Sequence, residues 1–221
     1  MLLFDLDGTL IDSNGVWKEV DRTFLARRGL PYTHAYYQGV AHTILPLAAK
    51  FTKEFCHLEE SCEDIIAEWM DLAKDAYAHV EVKPGVRAYL KQCRAEGRHM
   101  AIVTSSVPEH CRTALERLDL MKYFDHITYA YELGLEKKEP AIWIAAAEAA
   151  GVAPESCTAF DDSLSACRGA RAARMRVVGV HDDFFHQDEA AMEGFCDVYI
   201  HSFQELLWMP EQREEKRRRR S

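Results

Sequence analysis

Three short apolar runs that each stop on acids or hydroxyls constrain this chain more than any other feature. Residues 2–6 end in Asp5-Leu6-Asp7-Gly8, residues 99–104 run into Ser105-Ser106, and residues 158–160 lead into Asp161-Asp162-Ser163. Apolar runs of this length, bounded by turn residues, read as buried strands. Further strands are predicted at 127–130, 177–180 and 198–200. Helical patterns separate them: 84–95 closed by Gly97, 108–118, the alanine-rich 140–150 closed by Gly151, and 166–173. Strands alternating with helices predict an α/β fold, a doubly wound, Rossmann-like parallel sheet with helices on both faces. Ligands of such sheets bind beyond the carboxyl ends of the strands. The polar residues of the three runs fall at those ends.

Residues 14–79 break the alternation. Val16, Val20, Phe24 and Leu25 make one apolar helix face, and Gly29-Leu30-Pro31 stops that helix. Ile44, Leu45, Leu47, Ala48 and Phe51 make a second face, and Ile65, Ile66, Trp69, Met70 and Leu72 a third. The expected organisation is a core of residues 1–13 and 82–210, an inserted helical unit of residues 14–81, and a basic tail of residues 211–221. Tyr36, Tyr37 and Trp69 are expected to pack the interior of the insert.

The formal net charge is −9, although five of the 27 basic residues fall in the last six positions. The body is therefore more acidic still, which argues against nucleic acid or an anionic membrane as partner. A small anionic ligand would need a local site of metal, lysine and backbone amides. The seven cysteines are odd in number and form no C-x-x-C. Reduced thiols in a cytoplasmic protein are the simplest account. The first residues lack the basic and long apolar regions of a signal peptide, and no apolar run approaches the roughly 18 residues of a membrane span.

Side chains two apart on a strand share a face, so Asp5 and Asp7 can address one ligand, and Asp161 and Asp162 can complete an acidic ring. Oxygen-only ligands suit a hard cation, and Mg²⁺ is usual beside phosphate. With the phosphoryl charge offset, a carboxylate can attack phosphorus while a second acid protonates the leaving alcohol. Thr104, amides near Ser105, and Lys137 or Lys138 are candidate donors to the phosphoryl oxygens.

Phe4-Asp-Leu-Asp-Gly-Thr-Leu10 resembles the first signature of the haloacid dehalogenase superfamily. Ala101-Ile-Val-Thr-Ser105 resembles the second, Lys137-Lys-Glu-Pro140 the third and Phe160-Asp-Asp-Ser163 the fourth, in the family's order. The resemblance spans residues 2–207. It implies a small phosphorylated metabolite as substrate, with Asp5 as nucleophile and metal ligand. It implies Asp7 as general acid/base whose backbone carbonyl meets the metal, and Asp162 and Asp161 as metal ligands. Thr104 and Ser105 would bind the phosphoryl group, and Lys137 would steady it. Lys138 stands where the family usually has proline; the spacing to Pro140 favours Lys137. The insert resembles the family's helical cap, with hinges at residues 12–14 and 81–84. A turn at residues 38–42 lies where relatives place specificity residues, which makes Gln38 and His42 the candidate substrate contacts. Two alternatives stand beside hydrolysis: a sugar phosphomutase of the β-phosphoglucomutase type, and a non-catalytic binding or regulatory protein on the same fold.

Overall fold

The first apolar run becomes the centre of a parallel sheet in the computed structural model, which describes residues 1–41 and 43–207. The chain begins with β1 (Leu2–Phe4) and β2 (Ile11–Asp12). The insert follows as α1 (Asn14–Arg27), α2 (His34–Val40), α3 (Leu45–Cys56) and α4 (Cys62–Tyr77), and β3 (Glu81–Val82) returns from it. Then come α5 (Val86–Ala95), β4 (Met100–Thr104), α6 (Pro108–Arg117), β5 (His126–Tyr129), the one-turn α7 (Ala130–Leu133) and α8 (Pro140–Ala149). The chain continues through β6 (Thr158–Asp161), α9 (Leu164–Ala172), β7 (Arg176–Val180), α10 (Glu189–Phe195) and β8 (Val198–Ile200). The sheet order is β5-β4-β1-β6-β7-β8, and every pairing in it is parallel.

Both faces of this sheet are covered, as a parallel sheet requires. Leu2 and Phe4 point into one apolar cluster and Leu3 into the other, the alternation a strand imposes. On the first face Phe4 stacks on Phe160 at 4.5 Å, with Tyr89 and Phe203 around them. On the second, Ala101, Val103 and Ala159 are small or branched, and the fully buried Trp143 of α8 fills the space above them.

Register then places the polar ends. Phe4 lies opposite Ile102 on β4 and opposite Phe160 on β6. The next residue on each side is Asp5 on β1 and Asp161 on β6, so two carboxylates stand level on strands about 4.8 Å apart.

In the insert, α1 packs on α4, and α3 packs on both α2 and α4. Thr33 caps α2 through the Tyr36 N–H, and Ser61 with Asp64 forms a capping box on α4. β2 and β3 pair antiparallel where the chain leaves and rejoins the sheet, with Ile11 opposite Val82. Two local expectations change, and one short helix is new. Gln38 lies on α2 rather than in a turn, because the Thr33 cap starts a helix that runs to Val40. The strand predicted to reach Ala130 ends at Tyr129, and Ala130 opens α7. The seven-residue α10 has too short an apolar pattern to be read as a helix from sequence. His42 and the basic tail of residues 211–221 lie outside the described residues.

Gly169 of α9 decides where the loop before α8 can lie. A Cβ there would sit 2.1 Å from the Lys137 carbonyl oxygen, which the Trp143 indole N–H also holds at 2.8 Å. Gly169→Ala should lose about 1–3 kcal/mol to this overlap, more than the roughly 1 kcal/mol that alanine gains in a helix. Gly15→Ala on α1, where nothing lies within 4 Å, should be neutral or slightly stabilising. Urea unfolding of the two variants beside the wild type checks both.

Candidate active site

The ends of β1, β4 and β6 converge on one cavity, lined by Asp5, Asp7, Ser105, Ser106, Lys137 and Asp162 on the sheet side. Asp5 is 2% exposed, Asp161 0% and Asp162 5%. One oxygen from each of these three lies within 4.8 Å of the others, a donor set that could hold a metal ion. Three buried carboxylates cannot all ionise freely. Burial first, then the Asp161 charge, raises Asp5 to about 6 against the opposing pull of Lys137. Burial, and then Asp5 and Asp161, raise Asp162 as well.

Lys137 is the counter-charge already in place. Its ammonium donates to Asp5 Oδ1, and to Asp161 Oδ2 at 2.8 Å. Burial by itself would discharge the lysine, but the two aspartates outweigh it and hold the ammonium charged. Lys138 turns outward to Glu136 at 2.6 Å, its side chain 57% exposed. The spacing argument for Lys137 therefore coincides with where the side chains go.

Asp7 stands apart from this cluster. Its Oδ1 accepts from Ser13 Oγ at 2.6 Å and from the Tyr77 hydroxyl at 2.5 Å. Burial and the Asp5 charge raise its pKa, and the two hydroxyls oppose them. Ser13 precedes the first helix of the insert and Tyr77 ends the last, so the acid is held from both junctions. Asp162 is anchored similarly, by Thr9 Oγ1 at 3.1 Å and Asn14 Nδ2 at 2.7 Å. Gly8 makes that possible: at φ +82° it turns the chain, and a Cβ would lie 2.1 Å from Asn14 Nδ2 and 2.3 Å from Asp162 Oδ2.

Thr104 is fully buried, and its hydroxyl accepts the Ser106 N–H at 2.9 Å. Ser105 and Ser106 line the cavity, whereas Thr104 sits behind them. Lys83 was not singled out from sequence. Its ammonium donates to the carbonyls of Gly8 and His181, each at 2.6 Å, and to Asp182 at 2.8 Å. It ties the turn after β1 to the loop after β7. Ser13 and Asn14 directly follow the Asp-x-Asp-Gly turn, a proximity that could have flagged them. Nothing in the sequence pairs Tyr77 with Asp7 across 70 residues.

The insert supplies the far wall. Trp17, Lys18, Asp21, Tyr32, Tyr37 and Trp69 line it, and Gln38 does not. Tyr37 thus faces the cavity while Tyr36 is packing, and Trp69 does both. Contacts across the mouth hold the two sides together: Tyr37 packs edge-on against Phe184 at 5.5 Å, and Thr43 Oγ1 donates to Glu136 at 2.6 Å.

Asp21 is raised to about 7 by burial, opposed only by a hydrogen bond from Tyr36. The folded protein keeps this proton up to about pH 7, whereas the ordinary value is 3.8. The carboxyl's contribution to stability is therefore full below pH 3.8, falls as pH rises between the two values, and stays low above 7. Asp21→Asn should remove that slope and stabilise the protein at pH 8 by on the order of 2–4 kcal/mol. Denaturation midpoints from pH 4 to 8 measure it; parallel curves for variant and wild type would contradict it.

A family model described as haloacid dehalogenase-like hydrolase matches residues 2–180. A phosphorylated carbohydrates phosphatase of Thermotoga maritima is 27% identical over 181 residues, covering 81% of this chain and 84% of its own length. Phosphoglycolate phosphatase 1 of Pseudomonas aeruginosa is 28% identical over 213 residues, covering 94% and 78%. Among solved structures, a β-phosphoglucomutase from Clostridium difficile superposes with a TM-score of 0.78 at 19% identity, covering 97% of this chain and 95% of that one. At that identity the likeness is one of fold.

Proposed function

The chain belongs to the haloacid dehalogenase-like hydrolases, and from that premise we propose that it hydrolyses a small phosphomonoester through an aspartyl-phosphate on Asp5. The observation that carries this reading is the joint placement of three buried carboxylates, the Lys137 ammonium and a separately held Asp7 at one cavity. Relatives whose names are those of phosphatases for carbohydrates and phosphoglycolate support the same chemistry.

The acidic set fits a hard divalent cation. Asp5, Asp161 and Asp162 together carry more negative charge than Lys137 can balance, and burial keeps water from screening it. In our reading these residues and the Asp7 backbone carbonyl hold Mg²⁺. The bound ion would offset charge on the phosphoryl oxygens and orient the group for in-line attack.

The chain's own residues then divide the work. A carboxylate oxygen of Asp5 attacks phosphorus, and the bond from phosphorus to the alcohol oxygen breaks. Asp7, protonated at this stage, gives its proton to that oxygen; burial favours the protonated form, and Ser13 and Tyr77 fix its direction. Lys137 and donors around Thr104 and Ser105 receive the phosphoryl oxygens. Asp7, now ionised, takes a proton from water as that water attacks phosphorus, which restores Asp5 and frees inorganic phosphate. Residues 14–81 serve as a cap whose closure brings Ser13 and Tyr77 onto Asp7 and keeps bulk water from the first step.

The test is phosphate release from a panel of phosphorylated metabolites with Mg²⁺. Asp5→Asn should lower kcat by about a thousandfold or more, with an unchanged circular dichroism spectrum. Wild-type rates in that variant would refute the mechanism. Excess EDTA should abolish turnover and added Mg²⁺ restore it, and full activity in EDTA would remove the metal from the scheme.

A further inference from the structure

Two histidines and a glutamate meet at the β8 edge of the sheet and have no part in the chemistry above. β7 and β8 are parallel neighbours, with Val180 opposite Ile200. The residue after each strand is a histidine, so His181 and His201 stand side by side, their ring centroids 4.8 Å apart. Glu189, the first residue of α10, reaches both. Its Oε1 lies 3.9 Å from His181 Nδ1 and 3.6 Å from His201 Nε2. One donor atom from each of the three residues falls within 4.8 Å of the others.

These separations are too long for hydrogen bonds, and among the described residues the Glu189 carboxylate accepts none. They are close to what a shared ion imposes. Ligands about 2.0–2.1 Å from a tetrahedral zinc stand roughly 3.3 Å from one another. The Glu189 and His201 side chains are 34% and 55% exposed, so small rotations can draw the donors together. His181 is already oriented as a ligand. Its Nε2 meets Asp183 Oδ1 at 3.1 Å. A carboxylate only accepts, so Nε2 carries the hydrogen and Nδ1, the atom beside Glu189, keeps its lone pair. A carboxylate behind a metal-bound imidazole is the usual outer partner of such a ligand. The Tyr199 hydroxyl, 3.1 Å from Nδ1, donates to that lone pair and would yield it to an ion.

We infer that His181, Glu189 and His201 form a second cation site, one for a divalent transition metal such as Zn²⁺. Two imidazole nitrogens and one carboxylate suit zinc, cobalt, nickel or copper, whereas Mg²⁺ takes oxygen ligands. Three protein ligands leave the fourth position to water, on the side where His201 is exposed. The site is separate from the acidic set of Asp5, Asp161 and Asp162 and does not depend on the phosphatase reading. Its role is structural. β8 has three residues and pairs only with β7, and an ion here joins β7, β8 and α10.

The test is calorimetric titration of Zn²⁺ into the full chain with its thiols reduced and Mg²⁺ in excess, so that the acidic set is occupied. The wild type should bind a single Zn²⁺ that Mg²⁺ does not displace, and its Tm should rise with Zn²⁺. His201→Ala and Glu189→Ala should each weaken binding by more than about a hundredfold, since a ligand counts for more than its outer partner, and should remove the rise in Tm. Asp183→Asn should weaken it by about tenfold, the low end for an outer partner, because the Asp183 side chain is fully exposed. The ligand variants alter different elements, so a folding defect in one, seen by circular dichroism, leaves the other to decide. Co²⁺ in place of Zn²⁺ should give visible bands of nitrogen and oxygen coordination. A wild type that binds no Zn²⁺, or an affinity unmoved in the folded variants, overturns the inference. So does a thiolate-to-cobalt charge-transfer band, which would put the ion on Cys167 or Cys196.

Discussion

Repulsion among buried carboxylates is the constraint on which the rest of this structure depends. Asp5 and Asp161 are level because β1 and β6 are parallel neighbours in register, and Asp162 follows at the same strand end. Such a cluster persists only if something positive is fixed beside it. Lys137 supplies that charge, and its position is secured far from the acids, by the Trp143 indole on its carbonyl and by the missing side chain of Gly169. The packing of α8 and α9 on the sheet is thus also the positioning of the ammonium that faces the buried acids.

The insert is equally bound to the chemistry. Asp7 receives one hydroxyl from the start of the insert and one from its end. Its orientation and the placement of four helices are therefore a single variable. Lys83, at the return from the insert, reaches the Gly8 carbonyl and Asp182, so the end of the insert, the turn after β1 and the loop bearing Phe184 share one ammonium.

The cavity has two chemically distinct ends. The sheet end concentrates charge, with Asp5, Asp7, Asp162 and Lys137 all lining it. The insert end is aromatic, with the acid Asp21 and the ammonium of Lys18 among the polar groups that line it. Holding Asp21 in that setting weakens the fold at neutral pH, and stability of this kind is commonly given up at sites kept for binding.

The sequence by itself determined the fold class and the sheet half of the candidate site. Continuous apolar runs and helices with stop signals are local signals, and the acids are written at the ends of the strands that carry them. Lys137 was legible through its spacing to Pro140. The strand order, the pairing of Tyr77 with Asp7 and the grip of Trp143 on Lys137 were not, because each joins segments whose separation along the chain says nothing of their distance in space. The insert misled for a related reason. Period-3.6 patterns show that a helix has an apolar face, but which residues of that face meet a cavity depends on how the helix docks. Gln38, expected to face substrate, lies on α2 away from the cavity, while Tyr37 beside it and Trp69, expected only to pack, line it. Rotation by one residue on a helix is about 100°, and only tertiary packing fixes that angle.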